Sequence, residues 1–292
     1  MGEFPIPPAE VRAVLGSFFF ACNQIAVRRL MDRNSALTAT FWVNTWMGIF
    51  AVLLSPWVDS YAGDPLRAFL MFLGVGVVGN GMARYSSYRS NLEVGVSRTN
   101  ALVAASPIGA VITGMILLGE RPGPAVWLGV GMVVGGMILL TSEGGGQRRP
   151  LGKYTFALMA MAAFSVTPYL RKAGLLAMNA PWMGILVAIC VANICLISSS
   201  RFMPDIQRFR WDARMILVSF PAGALAVGSA INYWTALRDG SLAVISPLIR
   251  MSPIFVLLLS VFFLRGREVV TRRVVVSTLV VVAGAILVTL GK

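Results

Sequence analysis

The 292 residues are 57% hydrophobic and 13% charged, with a mean hydropathy of +0.77 and a net charge of +13. Soluble domains carry roughly 25% charged residues, so a chain this apolar suits a bilayer rather than water. The absence of histidine excludes imidazole metal sites, Ser-His and Cys-His nucleophile pairs and histidine proton relays.

A spanning helix needs about 20 mostly apolar residues. Ten such runs are predicted, over 9–30, 36–56, 66–89, 94–118, 122–141, 151–172, 180–199, 212–237, 241–264 and 269–290. The first run is itself long enough to span, so no separate signal peptide is read. The gaps carry stop signals, among them Asp59 to Pro65, the Gly144-Gly145-Gly146 run ending at Pro150, and Pro204-Asp205. Little chain is left over for a soluble domain. Cys22, Cys190 and Cys195 lie inside apolar runs without a CxxC spacing and read as small hydrophobes.

The basic residues fall mostly in the gaps, where they set topology rather than bind nucleic acid, which is not an expected partner. The odd-numbered gaps carry most of them. The positive-inside rule then puts those gaps in the cytoplasm and both termini outside.

The chain repeats itself. ALVAASP (101–107) aligns with PLIRMSP (247–253), so Ser106 falls on Ser252 and Pro107 on Pro253. VVGGMIL (133–139) aligns with VVAGAIL (281–287), which pairs Glu120 with Glu268 and Gly136 with Gly284. Each half holds five runs. An odd number forces the second half into the membrane from the opposite side, so the halves form an inverted-topology repeat with a solute site near the midplane between them. The predicted organisation is a first five-helix repeat over 1–142, a linker over 143–150 and a second repeat over 151–292.

The stretch SPIGAVITGMILLGERPGPAVWLGVGMVVGGMILL (106–140) resembles the end of an EamA-type repeat, in which a Pro-bearing helix runs into an LGE turn and a Gly-rich helix follows. The second copy, SPIFVLLLSVFFLRGREVVTRRVVVSTLVVVAGAILV (252–288), is similar but carries RGRE at the turn. The chain is thereby identified as similar to the drug/metabolite transporter superfamily. The resemblance implies an all-α membrane protein with ten transmembrane helices, in two inverted five-helix repeats around a central cavity. It also implies a non-enzymatic secondary transporter without a cofactor, whose partners are a small-molecule solute and membrane lipids. A homodimer stays open. A bacterial inner membrane is the expected location. Many relatives carry a Trp-Gly pair in the first helix, where this chain reads Ala21-Cys22-Asn23-Gln24.

An ionisable group within a span is costly, which makes each one a candidate for function. Arg250 lies about nine residues into the ninth run, or about 13 Å at 1.5 Å per residue. Arg84 and Arg98 lie inside the third and fourth runs. The structural alternatives are snorkelling for Arg84 and Arg98, and capping of carbonyls freed by Pro247 and Pro253 for Arg250. All twelve acids sit at the N-terminus, in gaps or at run ends. The arginines therefore lack a deep carboxylate, and an anionic solute would relieve them. The same distribution favours facilitated transport or exchange over proton coupling, with Glu93 and Asp239 as the nearest exceptions.

Asn23, Gln24, Asn80, Tyr85, Tyr88, Asn100, Asn232, Tyr233, Trp234 and Ser246 join the candidate substrate site, as aromatic walls with a few convergent polar groups suit a small-molecule pocket. Asn80, Arg84 and Tyr88 are spaced four apart and are expected on one helix face. Pro107, Pro168, Pro247 and Pro253 are candidate hinges. Gly131, Gly135 and Gly136 are expected to let helices pack closely. The leading reading is a carrier or exchanger of a small organic anion or zwitterion. Its rivals are an exporter of amino acids or drug-like amphiphiles with structural arginines, and, in another class, a lipid scramblase or membrane-embedded enzyme.

Overall fold

The computed structural model describes residues 7–31, 36–94, 99, 102–141, 150–199, 213–263 and 272–291. Arg98 and Asn100 lie outside the described residues, as do the side chains of Tyr88 and Pro253. The helices are α1 (Ala9–Met31), α2 (Ala36–Val58), α3 (Pro65–Gly74), α4 (Ala83–Val94), α5 (Ser106–Leu118) and α6 (Pro124–Thr141). They continue with α7 (Thr155–Ala177), α8 (Pro181–Ser199), α9 (Ala213–Asp239), α10 (Leu242–Ile249), α11 (Ser252–Phe263) and α12 (Arg272–Leu290). Among the described residues no strand forms, and the one β-bridge joins Gly63 to Met178.

The protein is an all-α membrane protein. Thr38–Val58, Pro65–Ser87, Pro181–Ser198 and Arg214–Asp239 are long and apolar enough to cross a bilayer, and Leu102–Leu118, Pro124–Leu139, Leu242–Val256 and Val276–Leu290 are shorter apolar helices. The outward faces are apolar too: Ile116, Leu217 and Leu290 are 75%, 76% and 77% exposed. In water such a surface would aggregate, whereas lipid tails solvate it.

Local chemistry explains the breaks. Asp64 caps α3 by accepting the Arg67 N–H at 3.0 Å, with Pro65 opening the helix. α5 ends at Gly119, whose φ of +67° is the left-handed C-cap conformation that glycine adopts at least cost. The ninth run is two half-helices, α10 and α11, separated at Arg250 and Met251. Pro253 has no N–H to continue the ladder, and a turn bond from Arg250 N–H to the Pro247 carbonyl (3.2 Å) closes the first half. The fourth run breaks at the repeat-related place: a turn at Ala105 stands before Ser106-Pro107. The Ser-Pro pairs thus break one helix in each repeat.

The third run departs from a regular helix. Residues Val75–Met82 between α3 and α4 form a π-helix. The stripe expected for Asn80, Arg84 and Tyr88 crosses the end of this segment, and the Tyr88 side chain lies outside the described residues. The Asn80 amide donates to the Ala188 carbonyl of α8 at 3.1 Å, while Arg84 lies beside Arg171 of α7.

Glycine contacts set the tightest packing, between α6 and α12. A Cβ on Gly129 would lie 2.7 Å from the Gly284 carbonyl oxygen, and one on Gly284 would lie 2.8 Å from that of Gly129. Gly136, seven residues and two turns on, faces the Ser277 carbonyl and Val281. The expectation for Gly131 and Gly135 is corrected: a Cβ at either would meet nothing within 4 Å, because both lie on the outward side of α6.

The described gaps gather on one face. The Ser60 N–H donates to the Asn179 carbonyl (2.9 Å) and the Asp64 N–H to that of Ala177 (3.0 Å). Asp59 accepts the N–H groups of Trp182 (3.1 Å) and Met183 (2.7 Å), capping α8. Arg12, near the start of α1, pairs with Asp239 at the end of α9 at 2.6 Å. The second, fourth, sixth and eighth gaps therefore share a side, as alternating spans require.

Gly129→Val is expected to lose about 1–3 kcal/mol of stability through overpacking, whereas Gly131→Val stays close to wild type. Thermal unfolding of the purified protein in detergent reads both.

Candidate functional site

The broken helices place backbone turns and polar side chains inside the bundle. Between the two halves of the chain lies a narrow cavity lined by Ser106, Pro107 and Ala110 of α5, Phe164 and Pro168 of α7, Tyr233 of α9, Ser246 of α10, and Arg250. Its free interior, about 10 Å³, holds about one water molecule, far below the roughly 300–1,000 Å³ of ligand pockets, so a solute enters only if the surrounding helices move apart. Its wall draws on both halves of the chain.

Three features define its electrostatics. The Arg250 guanidinium is held on the face of Phe164, its central carbon 5.0 Å from the ring centroid. A cation–π contact uses the flat face of the guanidinium and leaves its edge N–H groups free to donate. The hydroxyls of Ser106 and Ser246 are buried and have no hydrogen-bond partner among the described residues. Buried polar atoms are normally paired, so two orphan hydroxyls in the wall of one cavity mark a place shaped for something else to complete. Among the described residues no carboxylate lines the cavity.

Beside it lies a group the sequence reading missed. Arg171, near the end of the run predicted over 151–172, sits well within α7, which continues to Ala177. Its guanidinium stacks 4.8 Å from the Tyr233 ring centroid and 5.5 Å from that of Trp234, and its Nε is buried without a partner. Tyr233 is an electrostatic neighbour of both Arg171 and Arg250, and Arg84 is one of Arg171. A signal existed in the sequence: Arg171 follows Pro168 by one turn in an apolar run.

The remaining predicted residues scatter. Ser246, Tyr233, Arg250, Pro107 and Pro168 come together at the cavity. Pro247 is buried in α10 but does not line it. Trp234 is 3% exposed and packs against Phe72 at 5.5 Å. The Asn232 amide is satisfied by the Gly228 carbonyl of its own helix at 2.8 Å, and that of Asn80 by Ala188. Asn23 is buried with its Oδ1 unpaired, away from the cavity wall, and Gln24 is exposed. Tyr85 is 42% exposed and meets Phe156 edge-on. Polar residue types alone did not separate cavity positions from helix–helix ties, because the two differ only in which face of the helix they occupy.

Above the cavity the two repeats are latched. Glu120, in the turn after α5, accepts hydrogen bonds from Lys172 Nζ (3.0 Å), Ser241 Oγ (2.8 Å), and the N–H groups of Leu242 (2.9 Å) and Ala243 (3.1 Å). Lys172 also donates to the Gly240 carbonyl at 2.7 Å. A carboxylate from the first repeat thereby caps α10 of the second and holds α7 against it. Burial works against the charged form of Glu120, but the Leu242 and Ser241 bonds and the Lys172 charge outweigh it and hold its pKa below the usual 4.5. At Asp59 burial prevails over the Met183 and Trp182 N–H bonds and raises the pKa. Arg238 extends the layer, donating to Asn179 at 2.8 Å and to Asp239 at 2.6 Å.

Residues 8–142 match the EamA-like transporter family. A search of curated proteins found no match. Among 29 solved chains that match is a crystal structure described only as that of a protein. It is 19% identical, has a TM-score of 0.73, and the alignment covers 97% of this chain and 95% of that one. At that identity the likeness speaks for the fold alone.

Glu120→Gln is expected to lower stability by about 1–3 kcal/mol at neutral pH, because it leaves Lys172 without its counter-charge. Because the folded pKa of Glu120 is depressed, its contribution is present above 4.5 and lost as pH falls through the folded value. The gap between wild type and variant should therefore close at low pH. Thermal unfolding midpoints from pH 7 down to pH 3 measure it.

Proposed function

We propose that this membrane protein, whose residues 8–142 match the EamA-like transporter family, is a secondary carrier of small organic anions, which it binds in the cavity at Arg250. The observation that carries this reading is the convergence of the Arg250 guanidinium and the unpartnered Ser106 and Ser246 hydroxyls on one cavity, with no carboxylate in its wall among the described residues. Donors without acceptors call for an acceptor-rich ligand. A carboxylate or phosphate oxygen satisfies a guanidinium edge through paired hydrogen bonds and takes the serine protons as well. A cationic solute finds no counter-charge there.

In this reading the proline breaks do two jobs. They leave backbone turns at the depth of the cavity, and they let α5 and α11 bend as the repeats move. The Glu120–Lys172 latch and the Asp59 and Arg12–Asp239 contacts close one face of the bundle. Alternating access requires this face to open, so the Lys172–Glu120 pair breaks and re-forms in each cycle. Exchange or facilitated passage fits better than proton coupling, since Glu120 and Asp239 are both ion-paired on that face and, among the described residues, no carboxylate lines the cavity.

Arg250→Gln is expected to abolish uptake of labelled organic anions into proteoliposomes, and to remove their stabilising effect on the purified protein, while leaving it folded. Ser246→Ala should weaken binding by roughly tenfold, the loss of one hydrogen bond to a charged group. Anion binding unchanged in Arg250→Gln would remove this cavity from the transport path.

A further inference from the structure

The cavity arginine is not alone, and the proposal that follows rests on the carrier reading above. Arg171 and Arg250 flank the same residue: Arg171 stacks on the Tyr233 ring at 4.8 Å, and Tyr233 lines the cavity with Arg250. Arg250 feels the charge of Arg171, and Arg171 in turn that of Arg84. Both stacked arginines are held by aromatic faces, Phe164 in one case and Tyr233 with Trp234 in the other, and neither forms an ion pair among the described residues. Lys172, the next residue, is neutralised by Glu120. The bundle thus pairs Lys172 with a carboxylate and leaves Arg171 and Arg250, among the described residues, on aromatic faces alone.

A monoanion at Arg250 balances one of these charges and leaves a second close behind Tyr233. Like charges enclosed together in a poorly polarisable medium are costly, and a further negative charge on the solute relieves that cost. We propose that the solute is a dianion, a small dicarboxylate or a phosphate monoester, and that Arg171 is the residue that selects the second charge. It acts through Tyr233 as a positioning residue and need not touch the solute. A unit charge about 8 Å away at an effective dielectric of 20 changes affinity roughly 30-fold, which sets the size of the expected preference.

The test measures binding to the purified protein, by thermal shift and by competition in proteoliposome uptake, for matched pairs: succinate against butyrate, and glycerol phosphate at pH 7.5 against the same compound at pH 5.0. The second phosphate ionisation lies near pH 6, so glycerol phosphate is mostly a monoanion at the lower pH. Wild type is expected to prefer the dianion by about 10- to 100-fold in at least one pair, and which pair responds separates a dicarboxylate from a phosphate solute. Arg171→Gln should lose that preference while keeping monoanion binding, and Arg171→Lys, which retains the charge, should restore most of it. Should Arg171→Gln not fold, the wild-type ratio together with Arg171→Lys still decides. Equal affinity for monoanion and dianion in wild type, or a preference intact in Arg171→Gln, overturns the proposal and leaves the anion carrier standing. Failure of every anion to bind overturns the carrier reading as well.

Discussion

Positive charge placed inside an apolar bundle without a carboxylate to balance it is the constraint around which this protein is arranged. Moving an ion from water into such an interior costs several kcal/mol even after relaxation. The fold meets part of that cost with aromatic faces. Phe164 lies under Arg250, and Tyr233 and Trp234 lie beside Arg171. Such contacts contribute about 1–2 kcal/mol each when desolvated, less than the cost, and they leave the donor edges open. The imbalance is local to the arginines. At the rim, Lys172, Arg12 and Arg238 all find carboxylates.

That division between rim and interior maps onto the repeat. Each half brings a Ser-Pro break into the membrane, but only the second copy sets an arginine just before it: Arg250 aligns with Ala104. The Ser-Pro break recurs in both halves of the chain, and the arginine before it does not. Ser106 from the first half and Ser246 with Arg250 from the second meet at one cavity. The latch is equally asymmetric, with Glu120 reaching from the first repeat to cap α10 and bind Lys172 of the second. Lys172 and Arg171 are adjacent on α7.

Close packing without polar glue holds the periphery together. α6 and α12 meet through Gly129, Gly136 and Gly284, where backbone approaches backbone and no side chain fits. In a bilayer, where burying an apolar side chain gains little, such van der Waals contact and shape drive association. The π-helix at Val75–Met82 shows the same economy: Gly76 and Gly79 sit against Val191 and Thr167 at distances that leave no room for a Cβ. At the end of this segment the Asn80 amide ties to α8 through the Ala188 carbonyl.

The amino-acid order alone determined what is local. Hydropathy marked the runs, because apolar length is what a bilayer selects. Proline stands at the breaks at 107 and 253, but Pro168 and Pro247, read the same way, lie inside helices that continue through them, so proline by itself did not mark a break. The register of Ser106-Pro107 with Ser252-Pro253 pointed to the repeat, and the placement of acids in gaps and at run ends pointed to Arg250. What only the tertiary structure decided is which helix faces meet. Glu120 and Ser241 are 121 positions apart, and no spacing rule joins them. Tyr233 turns to the cavity while Tyr85 turns outward, although both are tyrosines in apolar runs. Arg171 reads as a span-ending charge until α7 extends past it to Ala177 and Tyr233 closes over its guanidinium. Local sequence sets where a helix runs. The rotation of each helix about its axis follows from packing against all its neighbours at once, and that rotation selected the residues of the site.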